Sequence, residues 1–153
     1  MKKLMCIIAA GVLLIACSKD KFNTVPEIKF KSLSPDFFNG GLITNVVTPQ
    51  LTIKLTDAEG DFGDTSYVYV KNLRNDPVTL DSILFPEIVG ISKKNLDVNV
   101  TVDFKGGHDL LRSPPRPLPR PYYDTVFYEV YVKDQAKNKS NIISVGPVYL
   151  LNE

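Results

Sequence analysis

The sequence predicts an all-β protein: about seven strands forming two antiparallel sheets packed face to face, behind an N-terminal export signal. Three observations carry this expectation. Apolar and polar residues alternate with period two along most of the chain, no window of useful length has apolar residues at helical spacing, and turn-forming residues separate the alternating runs. Successive side chains of a strand point to opposite faces, so the alternation gives each strand one apolar and one wet side.

The chain opens with Met1, Lys2 and Lys3, followed by an apolar run over residues 4–15 and then Ala16 and Cys17. A membrane-spanning helix needs about 20 apolar residues, so this run reads as a secretory signal instead. Leu14-Ile15-Ala16-Cys17 resembles the bacterial lipobox: Leu, a small or branched residue, Gly or Ala, and Cys. The resemblance implies cleavage before Cys17, a diacylglycerol on its sulfur and an acyl chain on its amine, which together suffice for durable membrane anchoring. Residues 1–16 are then signal peptide, 17–25 a polar tether, and 26–153 a single folded domain.

Loss of residues 1–16 removes Lys2, Lys3 and Cys6, leaving 16 basic and 17 acidic residues and no cysteine beyond Cys17. No disulfide can form within such a domain, so its core alone must hold it together. The charge is near neutral and dispersed, which argues against nucleic acid or an anionic membrane face as a partner.

Pro26 starts the folded region, and Ile28 and Phe30 flank Lys29 in the first expected strand. Leu51, Ile53 and Leu55 alternate with Thr52, Lys54 and Thr56, and residues 67–71 repeat the pattern. A weaker run, 78–85, lies between Pro77 and Pro86. The longest alternation is Leu96, Val98, Val100, Val102 and Phe104. Val126, Tyr128, Val130 and Val132 share one face of the next strand, with Phe127, Glu129, Tyr131 and Lys133 on the other. A last strand, 142–150, is interrupted by Gly146-Pro147, and proline there favours an edge strand or a bulge.

Asp124-Thr125-Val126-Phe127-Tyr128-Glu129-Val130 resembles the immunoglobulin-type run of Asp, any residue, small, any residue, Tyr, any residue, Cys. The resemblance implies an immunoglobulin-like (fibronectin III-like) sandwich in which the Tyr128 hydroxyl bonds upstream backbone and Val130 replaces the disulfide cysteine.

Asp57, Glu59, Asp61 and Asp64 fall within residues 57–64, directly after a strand. Carboxylates about 5 Å apart repel by roughly 3 kcal/mol at an effective dielectric near 20. Either these side chains splay into water or a cation sits among them. Calcium suits oxygen donors in flexible geometry, and Gly60 and Gly63 permit the bends. An EF-hand is excluded, because Phe62 stands where that loop needs Gly and Val68 where it needs a bidentate Glu.

Residues 133–141 resemble the Asp, two residues, Gly or Asn, Asn, Ser turns of bacterial immunoglobulin-like modules. The resemblance implies that this loop and the acidic loop share one end of the sandwich, where Asp134 and Asn138 would face Asp57, Glu59 and Asp61 around a structural calcium ion. The alternative is a pair of solvated turns whose Asp and Asn side chains bond local backbone.

Five prolines within residues 114–121 force an extended polyproline II conformation. Arg116, Arg120, Tyr122 and Tyr123 are then available to a partner. The favoured reading is a stiff connection between sheets.

Catalytic arrangements find little support. His108 is the only histidine, no nucleophile elbow is present, and zinc would lack ligands. The lipobox, tether, strand pattern and Asp-Ala-Glu-Gly-Asp-Phe-Gly turn together resemble small immunoglobulin-like lipoproteins of the Bacteroidota kind. That resemblance implies an outer-membrane lipoprotein, periplasmic or surface-facing, acting as a non-enzymatic binding or structural module with an envelope protein or glycan as partner. The competing expectation is a glycan-active hydrolase using acids of the 57–64 loop.

Overall fold

The computed structural model of the chain describes residues 21–39, 47–63, 65–74, 78–88, 94–106, 110–111 and 122–152. These form eight strands: β1 (Glu27–Ser34), β2 (Phe37–Asn39), β3 (Gln50–Asp57), β4 (Tyr67–Asn72), β5 (Thr79–Leu84), β6 (Leu96–Asp103), β7 (Tyr122–Lys133) and β8 (Ile143–Asn152). Among the described residues the only helical element is a 3-10 turn, Phe104–Gly106. One sheet has the order β1-β3-β6 and the other β2-β8-β7-β4-β5. Every pairing is antiparallel except that of β2 with β8. The five-stranded sheet curls into a half-barrel.

The period-two pattern decides which side chains meet. Leu51, Ile53 and Leu55 of β3 are fully buried, and the register sets them opposite Val102, Val100 and Val98 of β6. Across the core, Val68 and Val70 of β4, Ile83 of β5, and Val126, Val130 and Val132 of β7 face them, joined by Val145, Val148 and Leu150 of β8. Each fully buried aliphatic side chain contributes about 1.5–3 kcal/mol before chain entropy is subtracted.

Tyr128 fills the largest fully buried position. Its ring meets Phe104 edge-on, with centroids 5.0 Å apart and planes at 75°. Its hydroxyl donates to the Leu110 carbonyl at 2.6 Å, the upstream backbone bond expected of it, and burial pushes its ionisation well above the usual phenolic range. Val130 packs as a plain apolar residue.

Three features depart from the sequence expectation. Strand β2 was not anticipated; its three residues are too few for any periodicity to register. Phe30 is 47% exposed although Ile28 is buried, because β1 is an edge strand whose register shifts just beyond Phe30. Strand β7 begins at Tyr122, so Tyr122 and Tyr123 pair with Asn152 and Leu151 instead of belonging to the proline-rich connection. Of the two alternatives expected for Gly146-Pro147 the bulge holds: β8 lies between β2 and β7, and its register passes from Val126↔Val148 to Tyr128↔Val145. Gly146 has φ 131°, and a Cβ there would lie 2.9 Å from the Val126 carbonyl oxygen.

The two sheets are also stitched by one side chain. The Asn141 carboxamide accepts from Ile28 N at 2.8 Å and donates to Ile28 O at 2.9 Å, acting as a strand partner for the edge of β1.

These details set two stability expectations. Tyr128→Phe leaves the buried Leu110 carbonyl without its donor and lowers unfolding free energy by about 1–3 kcal/mol, read from urea denaturation. Gly146→Ala forces a side chain into a positive-φ bulge and costs more than about 1 kcal/mol in the same assay.

Candidate functional site

Two inward-facing series end in an acid. On β3 the buried residues run Leu51, Ile53, Leu55 and then Asp57; on β7 they run Val126, Tyr128, Val130, Val132 and, one step past the strand, Asp134. Both aspartates have no exposed surface. Each sheet thus delivers a carboxylate to the same end of the core.

A buried carboxylate must be bonded to be tolerated. Asp57 Oδ2 accepts from Gly60 N at 2.5 Å, folding the acidic loop back on the strand end. Asp134 is held by a single residue: Oδ1 accepts from Asn138 N at 2.7 Å and Oδ2 from Asn138 Nδ2 at 2.9 Å. Lys137, with φ 71°, lets the turn close between them.

The two loops dock directly. Gln135 N donates to Asp61 O at 3.0 Å and Ala136 N to Asp61 Oδ2 at 3.1 Å. Phe62, the residue that breaks the EF-hand pattern, is buried and stacks on Phe85 with centroids 4.8 Å apart, pinning the acidic loop to the core. The N-terminal lead joins the same assembly: Ala58 N donates to Asn23 O at 2.9 Å and Lys21 N to Asn95 Oδ1 at 2.9 Å.

Burial raises the Asp57 carboxyl above its ordinary 3.8, the Gly60 amide opposes this, and the charges of Asp61, Asp134 and Glu59 raise it further. Asp57 Oδ1 and Asp61 Oδ1 are both buried with no hydrogen-bond donor. Asp61 and Asp134 thus lie near enough to Asp57 for their charges to act on it, with Glu59 exposed beside them. Asp134 and Asn138, however, bond chiefly to each other. Among the described residues no three His, Cys, Asp or Glu side chains are placed to hold a metal by themselves. Asp64, Cys17, His108, Arg116 and Arg120 lie outside the described residues.

A second surface escaped the sequence reading. On the outer face of the five-stranded sheet the rings of Tyr69 and Tyr131, cross-strand partners, stack at 4.8 Å with planes 7° apart, and Tyr67 lies 6.3 Å from Tyr69. Lys133 Nζ sits 5.2 Å from the Tyr69 ring centre and Lys139 Nζ 4.0 Å from that of Tyr131. Beside them Val78, Leu80, Tyr131, Lys139 and Ile142 line a shallow groove of about 310 Å³. Leu80 and Ile142 are 54% and 51% exposed. The available signal was apolar residues on both faces of one strand, as in Tyr67-Val68-Tyr69-Val70, which a search for strict alternation discards.

No family model matches the chain, and neither the curated proteins nor the solved structures yield a match.

The electrostatics of Asp57 make a signed prediction. Its folded pKa lies above its unfolded one, so its contribution favours the fold below about pH 3.8 and is lost as pH rises through the raised value. In chelator, Asp57→Asn keeps the acceptor for Gly60 N and melts higher than the parent at pH 7. That difference shrinks to nothing as the pH falls toward 3.8, measured by thermal scans across pH.

Proposed function

We propose that the chain is an exported outer-membrane lipoprotein, anchored through Cys17, whose immunoglobulin-like sandwich binds a protein of the cell envelope without catalysing a reaction. The observation that carries this reading is the outer face of the five-stranded sheet. Stacked tyrosines at the centre of an exposed apolar patch, with lysines at its margin, match the composition of protein-binding surfaces. Lys71 is paired with Glu129 at 2.9 Å, while Lys133 and Lys139 lie over ring faces, so the margin favours a partner whose apolar strip is flanked by carboxylates.

The strand order supports the immunoglobulin-like assignment: β1-β3-β6 against β8-β7-β4-β5 follows the A-B-E and G-F-C-C′ arrangement of variable-type domains. The lipobox supports the anchor. Burial weighs against Asp57 as the acid of a hydrolase built on the 57–64 loop, since a general acid must touch its substrate and Asp57 has no exposed surface.

Photo-crosslinking residues placed singly at Leu80 and Ile142 of the intact lipoprotein, in native envelopes, test this reading. The same discrete protein adduct is expected from both sites and none from Thr101 on the other sheet. Replacing Tyr69 and Tyr131 together by Ala weakens binding about tenfold or more. No adduct from either site, or one that glycan-degrading enzymes dissolve, overturns the protein-partner reading. Cys17→Ala should move the protein from the membrane pellet to the soluble fraction; retention in the pellet would remove the lipid anchor from the account.

A further inference from the structure

We propose a divalent-cation site at the β3–β4 loop, with Asp57 and Asp61 as its two anionic ligands and calcium as the ion its chemistry selects. The site is independent of any partner on the sheet face. Asp57 has no exposed surface, and its Oδ1 has no donor; Asp61 Oδ1, four residues on in the same loop, is likewise buried without one. Two buried anionic oxygens without donors, on carboxyls whose charges act on each other, cost free energy that a cation between them would remove.

The protein's own donors are already committed elsewhere. The Gly60 amide serves Asp57 Oδ2, the Ala136 amide serves Asp61 Oδ2, and Asn138 serves Asp134. No ion pair among the described residues involves Asp57, Asp61 or Asp134. The sequence offers no Lys or Arg between Lys54 and Lys71.

The ion's identity follows from the donors. Oxygen ligands without His or Cys select a hard cation. Magnesium holds its waters and demands near-octahedral geometry, which suits a sealed carboxylate poorly. Calcium takes six to eight oxygens in loose geometry and completes a two-carboxylate shell with carbonyls and water. The rival account of the same orphaned oxygens is a proton shared between Asp57 and Asp61.

The full-length lipoprotein in detergent, stripped with chelator, separates the two accounts. On calcium titration at pH 7 the melting temperature should rise roughly 5–10 °C at a hundredfold excess over Kd, and several-fold less with magnesium. Asp61→Asn keeps an acceptor for the Ala136 amide, so it is expected to fold, and it should lose tenfold or more in calcium affinity by titration calorimetry. Asp36→Asn, an exposed acid at the opposite end, should bind calcium as the parent does. A melting curve unmoved by millimolar calcium but raised by mild acid would assign the oxygens to a shared proton and overturn the proposal, as would an Asp61→Asn variant that responds like the parent.

Discussion

Strict side-chain alternation, carried to the last residue of a strand, is the constraint on which this structure depends. Strand β3 cannot turn Leu51, Ile53 and Leu55 inward without turning Asp57 inward as well, and β7 does the same with Asp134. The core between the two sheets is therefore closed at one end by carboxylates, one from each sheet. That end folds only because the loops supply donors: a glycine amide for one acid and a complete asparagine for the other. The loops are fixed, in turn, by what the acids require of them.

Much of the architecture was legible in the residues. Alternation located seven of the strands, and the Asp-x-x-x-Tyr spacing singled out Tyr128, whose hydroxyl reaches backbone as that pattern implies. The meeting of the acidic loop with the 133–141 loop was implied by the resemblance to immunoglobulin-type modules, and the Gln135 N to Asp61 O bond joins them. What stayed hidden depended on distance. Nothing local marks Asn141 as the clamp on Ile28, because its two partners sit on a residue remote in sequence. Similarly, β2 exists only because β8 offers it an edge, and the stacking of Tyr69 on Tyr131 needs the β4–β7 register to be known.

The candidate site shows the same division. Spacing put Asp57, Asp61 and Asp134 on neighbouring loops, but their division of labour was not readable from it. Asp134 and Asn138, which seemed to point at a shared centre, form a closed pair; Phe62, which seemed merely to spoil a motif, is the loop's anchor in the core. Asp57 and Asp61 are left with bare oxygens because the available amides run out, a matter of donor supply that only the folded backbone reveals.

The lead residues Lys21 and Asn23 bond to Asn95 and Ala58, so the described chain enters the two-sheet fold at its carboxylate-closed end. The eight-residue strands β1, β3 and β6 carry the chain roughly 27 Å from that end to the other. Tyr122, the first residue of β7, pairs with Asn152 at the far end from the acids, so the proline-rich run returns to the described chain as far from the buried carboxylates as β7 allows.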